Sequence, residues 1–322
     1  MKSGLLVFSY DFSHKKSYFF IKEICKRNNL RLIVYAAPWI SLKEQEAPKD
    51  KKYHPRSITE KYKHEYIQGS HKDLSKLKKI TEKYNIKTAI IAGARIIPEE
   101  IISLFQFGVI NFHPGIIPDT SGLDSFFWMI EKKSLPGITV HYIDKKVDAG
   151  EIIFFHHHNH LNNSDSLEKI RFSLLDTQIQ ALKRLLSFFI IDKKLFSLSV
   201  QNYSKNSPMD KKERSIAIGN FDKWKKYTIS RQNKIKKLYD SVSSDNVNVL
   251  CSEDLSSMKS YKNNNGRTLL AEAAFHQSYK CVEYLLDCGF DVNAKDDKGI
   301  TVLMYAKKKD NKELIACIRN NS

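Results

Sequence analysis

Residues 109–115 read Val-Ile-Asn-Phe-His-Pro-Gly, an apolar run that carries an amide and an imidazole two positions apart. Side chains at i and i+2 of a strand share a face, so Asn111 and His113 point into one pocket. Pro114-Gly115 ends the strand and leaves the pair at its carboxyl end. In an open α/β sheet, ligands bind at that end. Downstream, Gly137-Ile-Thr-Val-His141-Tyr-Ile-Asp144 and Glu151-Ile-Ile-Phe-Phe155 read as two buried strands flanking a turn, Val147-Asp148-Ala149-Gly150.

The chain before this stretch alternates strands and helices. Gly4–Phe8, Arg31–Ala36 and Thr88–Ala92 are short apolar runs that fit buried parallel strands. Helical spacing covers 17–29, with Phe20, Ile24 and Cys25 inward, and 73–84, with Leu74, Leu77 and Ile80 on one face. A further helix is expected over 124–132 and another from Ser164 to Phe188. The fold class is therefore α/β, a doubly wound, Rossmann-like sheet. The turn Ser9–His14 has no G-x-G-x-x-G, so no dinucleotide fingerprint is read. Its Ser, His and Lys residues read as loop and N-cap positions, or else as contacts to a substrate phosphate. Residues 39–63 are polar and Lys-rich and read as a long excursion; loops of that length tend to be functional or mobile.

The ordered set Asn111-x-His113-Pro114, Gly137-Ile-Thr-Val-His141 and Asp148-Ala-Gly150 resembles the folate-dependent formyltransferases. These are the purine-pathway enzyme that formylates glycinamide ribonucleotide, the methionyl-tRNA formyltransferases and the sugar-nucleotide N-formyltransferases. The resemblance runs from about Lys2 to Tyr203. It implies N10-formyltetrahydrofolate as co-substrate, no metal, and Asn111, His113 and Asp148 as the catalytic residues. It also implies His141 as a second histidine near the site, and Arg95, Ile96 and Ile97 as the loop that approaches the pterin. The family commonly has Asn/Ser-Pro and a Trp in the following helix. Ser125 and Trp128 hold those places here without the Pro. The expected chemistry is attack of a neutral amine on the formyl carbon. Asn111 and a protonated His113 face the developing oxyanion, and Asp148 raises the His113 pKa and moves protons.

His156, His157, His158 and His160 resemble a metal cluster, but they alternate at a strand end and cannot converge. They read as a solvated strand end. Leu195–Tyr203 reads as a closing strand, and residues 204–232 as a hairpin or an extended connector. In that connector Trp224 and Tyr227 are read as core cover, or as a base-stacking platform.

The C-terminal part repeats. Asn265-Gly266-Arg-Thr268-Leu-Leu270-Ala-Glu-Ala273 recurs 33 residues later as Lys298-Gly299-Ile-Thr301-Val-Leu303-Met-Tyr-Ala306. That is the ankyrin period. With Val282–Leu286 and Gly289-Phe-Asp-Val292-Asn293-Ala294 between them, residues 233–322 resemble ankyrin-like helical repeats. Stability takes about three repeats. Residues 234–264 therefore read as a degenerate cap with Leu238, Val242, Val249 and Leu250 buried, and the module is expected to pack on the catalytic domain, residues 1–203.

A formal net charge of +17 favours polyanionic partners, although much of it reads as lysine on solvated helix faces. Five cysteines in no ligand spacing, no secretory signal pattern before Ser9 and no apolar run of membrane-spanning length predict a cytoplasmic, membrane-independent protein. The helical repeats contain no strand pattern like the tRNA-binding barrel of the methionyl-tRNA enzymes. The resemblance therefore implies a sugar-nucleotide N-formyltransferase. Its substrate would be a dTDP-linked 3- or 4-amino-dideoxysugar of bacterial surface polysaccharide (O-antigen), and UDP remains open. A homodimer is expected from the family alone, and nucleic acid is not expected as a partner. Two alternatives stand: a methionyl-tRNA formyltransferase-like enzyme, and an ankyrin adaptor that recruits a protein or a second ligand.

Overall fold

The computed structural model describes residues 3–27, 30–40, 50–94, 96–146, 148–199, 203 and 205–321. Its N-terminal part runs β1 (Gly4–Tyr10), α1 (Lys15–Cys25), β2 (Arg31–Ala37), α2 (Pro55–Lys61), β3 (Glu65–Gln68), α3 (Leu74–Lys83), β4 (Thr88–Ile91) and α4 (Glu99–Ile102). There follow β5 (Val109–His113), α5 (Ser125–Glu131), β6 (Gly137–Tyr142), β7 (Ile152–His157) and α6 (Leu167–Phe188). The strands form one seven-stranded sheet in the order β3-β2-β1-β4-β5-β6-β7. The first five are parallel, whereas β6 and β7 join antiparallel. The alternation of side chains decides the layers. Leu5, Val7, Val34, Ile110 and Phe112 pack on α1 and α6, while Leu6, Phe8, Ile33, Ala89 and Val109 pack on α3 and α4. Both faces of the central strands are buried, which is why those segments read as continuous apolar runs.

The remaining elements are helical: α7 (Lys211–Gly219), α8 (Phe221–Ser243), α9 (Val247–Cys251), α10 (Leu269–His276), α11 (Tyr279–Asp287), α12 (Val302–Lys308) and α13 (Lys312–Asn320). Residues 204–232 are thus neither a hairpin nor an extended connector. Pro208 precedes the helix, and Asp210 with Glu213 forms a capping box at the start of α7. Gly219 ends that helix, and α8 begins two residues later. The lysines of α8 hid its apolar stripe. Phe221 and Trp224 pack against Phe126 and Met129 of α5, while Leu238 and Val242, further along the same helix, enter the repeat core. Trp224 is core, and its Nε1–H donates to the Ser134 carbonyl at 3.0 Å; Tyr227 stays exposed.

Two further expectations change. The closing strand reduces, among the described residues, to one antiparallel bridge between Leu198 and Ile152. The end of β7 is not solvated. Asn264 brackets the His157 backbone, accepting from its N–H at 2.7 Å and donating to its carbonyl at 3.0 Å. The His157 ring stacks on Tyr261 with centroids 4.6 Å apart. Nearby, Arg184 of α6 pairs with Asp297. The repeats contain Leu238, Val242 and Leu250 in their core as the spacing required, with Val249 packed against it, and they lie directly on the sheet domain. Among the described residues, no helix is long and apolar enough to cross a membrane.

Candidate active site

Asn111 and His113 emerge from β5, where β6 pairs Asn111 with His141 and His113 with Thr139. The loop after β5 is pinned from β6: the Thr139 hydroxyl donates to the Gly115 carbonyl at 2.6 Å and accepts from the Ile117 N–H at 3.0 Å. That loop returns the Thr120 carbonyl to 2.7 Å from His113 Nε2. The turn after β6 brings Asp148 back over β5, with its own backbone left-handed at φ 55°. Gly150 makes the turn possible, because a Cβ there would overlap the Tyr142 carbonyl.

The result is a buried cluster. Asp148 Oδ2 lies 3.3 Å from His113 Nδ1 and accepts the Gly122 N–H at 2.8 Å, while Oδ1 lies 3.6 Å from His141 Nε2. Asn111 Nδ2 is 3.2 Å from His141 Nε2. Two backbone carbonyls assign the tautomers. The Tyr142 carbonyl, 2.9 Å from His141 Nδ1, can only accept, so Nδ1 carries a proton and Nε2 is the acceptor for Asn111. In the same way the Thr120 carbonyl places a proton on His113 Nε2. His113 Nδ1 therefore faces the Asp148 carboxylate, close enough for the two to share a proton.

Opposing influences act on His113. Burial pushes its pKa down more strongly than Asp148 and the Thr120 carbonyl pull it up, and Lys16 pushes in the same direction as burial. Burial thus favours the neutral imidazole, and Asp148 the protonated one. His141 is held down to about 4, again by burial first, with Asp148 opposing. His141 is fully buried, so it acts through Asn111 and Asp148 and has no surface with which to touch a co-substrate.

Of the pterin-loop residues, Ile96 is 76 % exposed beside the β4 end and Ile97 is buried. Arg95 lies outside the described residues. The structure adds Thr120 and Gly122, which act through their backbones and so left no side-chain signal, and Lys16 and Gln178, which reach β5 from α1 and α6. Among the described residues, no group of His, Cys, Asp and Glu could hold a metal ion.

Residues 12–186, more than half of the chain, match the family model described as formyl transferase. The chain belongs to the formyl transferase family. Residues 238–296 match the model for ankyrin repeats in three copies. A methionyl-tRNA formyltransferase of Buchnera aphidicola (subsp. Schizaphis graminum) is 31% identical over 126 residues, 38% of this chain and 38% of that protein. This chain covers at most about two fifths of the length of the curated relatives it matches first. Among solved structures, a sugar N-formyltransferase from Shewanella is 17% identical with a TM-score of 0.49, over 68% of this chain and 87% of that one. A 4-N formyltransferase from Francisella tularensis is 16% identical with a TM-score of 0.46, over 67% and 86%.

Proposed function

We propose that this protein transfers the formyl group of N10-formyltetrahydrofolate to the primary amine of a nucleotide-linked amino sugar, with Asn111, His113 and Asp148 as its catalytic residues. The observation that carries the reading is the 3.3 Å contact between His113 Nδ1 and Asp148 Oδ2 beside the Asn111 amide, all at the carboxyl end of β5. The neutral amine attacks the formyl carbon, forming the new C–N bond, and the formyl oxygen takes up negative charge. The second N–H of the Asn111 amide, the one not spent on His141, serves as donor to that oxygen. In a site this buried such a donor acts with little competition from water. The proton lost by the amine passes to the His113–Asp148 pair and is returned to N10 as the C–N10 bond breaks. Burial favours the neutral form of His113, the form that accepts a proton. The co-substrate fits the chemistry of the donor set. The exposed Ile96 offers apolar contact to a flat ring.

A compact acceptor is favoured by what surrounds the loop 115–124. Asn206 donates to the Asp119 and Ser121 carbonyls, and Asp124 accepts from the Met209 N–H and from Arg214. The segment 206–214 thus buttresses this loop. We take the substrate to be a dTDP-linked 3- or 4-amino-dideoxysugar for surface polysaccharide, with residues 1–203 as the catalytic unit. Methionyl-tRNA is the second reading, supported by the curated relatives and the charge of +17. The test is turnover of N10-formyltetrahydrofolate with a panel of dTDP- and UDP-amino sugars and with methionyl-tRNA. One amino sugar formylated and tRNA untouched is the expected result. Formylation of tRNA alone transfers the assignment to the second reading, and no turnover with any acceptor overturns both.

A further inference from the structure

Phe112 sits between the two residues that β5 contributes, and its side chain points the opposite way. The ring packs edge-on against Phe20 with centroids 5.0 Å apart. Its carbonyl lies past the last β4–β5 pair, Ile90 with Ile110, so β4 offers it no ladder partner. Two side chains serve instead: Gln178 Nε2 from α6 at 2.9 Å and Lys16 Nζ from α1 at 3.2 Å. A buried carbonyl is normally satisfied, but an amide alone would do so. The lysine brings a charge as well.

The position of that charge is unusual. Lys16 is half-buried, and its ammonium lies 5.2 Å from the Phe20 ring. Among the described residues, no carboxylate lies within the 4.0 Å of a contact ion pair with it. Burial lowers its pKa to about 8, and Asp148 pulls in the other direction. The groups that feel it are those of the cluster: Lys16 pushes the pKa of His113 and of His141 down, and that of His14 on its own turn as well. From α6 the facing group is the neutral Gln178 amide, and from the turn after β6 it is Asp148.

We propose that Lys16 is a positioning residue of the site: its ammonium clamps the Phe112 carbonyl so that Asn111 and His113 keep their common direction, and its charge favours the neutral His113 imidazole that receives the proton. The kinetic consequence rests on the formyl-transfer reading. The effect on His113 titration does not, so the two can fail separately.

The test compares the full chain with Lys16→Met, Lys16→Gln and Lys16→Arg by 15N NMR of the histidine rings. With a cation removed, the His113 midpoint moves upward. At a fixed pH the ratio of charged to neutral His113 then rises. Lys16→Gln keeps a donor for the Phe112 carbonyl without the charge, and it reports the same shift if Lys16→Met loses its native spectrum. In the turnover assay, Lys16→Met lowers kcat about 10-fold or more. KM for both substrates is expected to stay near its wild-type value. The acidic limb of the kcat profile moves upward with the His113 midpoint, and Lys16→Arg restores both. A His113 midpoint unmoved in the Met and Gln variants overturns the proposal and leaves Lys16 a structural cap. Wild-type kcat and pH profile in Lys16→Met overturns it as well.

Discussion

Two strands of one sheet end in histidines, and the two ends have opposite chemistry. At the end of β5, His113 has its Nε2 proton taken by the Thr120 carbonyl and its Nδ1 turned toward Asp148. At the end of β7, His156 is buried and His157 half-buried under Tyr261, but their Nδ1 atoms have no hydrogen-bond partner among the described residues. Burial pushes the pKa down at both ends. What separates them is the facing charge: a carboxylate opposes burial at His113, whereas Arg184 adds to it at His156 and His157. A buried imidazole becomes a usable proton acceptor when a carboxylate shares its proton. Without one it behaves as a packing element.

The largest expected effect breaks that pairing. His113→Ala and Asp148→Asn should each lower turnover by about 100-fold or more while leaving the fold intact. Near-wild-type turnover in either removes the catalytic assignment.

Acid separates the two ends next. His14, His71, His141, His156 and His157 are held to about 3 or 4 in the folded protein, chiefly by burial. An unfolded histidine titrates near 6.5. Below that pH the unfolded chain takes up protons that the native one refuses, so stability falls as pH drops from about 6.5 toward 4. Thermal melts at pH 7.5, 6.5, 5.5 and 4.5 should show Tm falling a little across the first step and more steeply across the others. A Tm that rises on acidification reverses the assigned sign.

Asn264→Ala removes the two bonds that bracket His157. A loss of about 1–2 kcal/mol in stability is expected from urea melts, with kcat of the folded fraction unchanged. A fall in kcat would couple the junction to the site and erase the contrast. Least is expected from His156→Leu, which deletes a buried nitrogen without a partner. The change at pH 7 should stay within about 1 kcal/mol. The acid sensitivity should shrink as one buried imidazole is removed, which the same set of melts reads.

The alternation of apolar runs, the i and i+2 placement of Asn111 and His113, the Asp148-Ala-Gly turn and the 33-residue repeat all follow from local rules of strand and helix, and the fold bears them out. Periodicity carries that information because it depends on neighbours along the chain. The helices α7 and α8 were obscured for the same reason. Lysines and other polar residues at most exposed positions made the segment read as polar connector, while Phe221, Trp224, Leu238 and Val242 kept a helical stripe that serves two cores at once. Three features needed distant segments to meet. The tautomers of His113 and His141 depend on two carbonyls placed by loop and strand geometry. The charge of His113 depends on depth, which no spacing encodes. Lys16 reaches the Phe112 carbonyl from 96 positions away, because packing of α1 on the sheet brings its ammonium there. Proton affinity is set by distance and burial in three dimensions, so it became visible once the chain was folded.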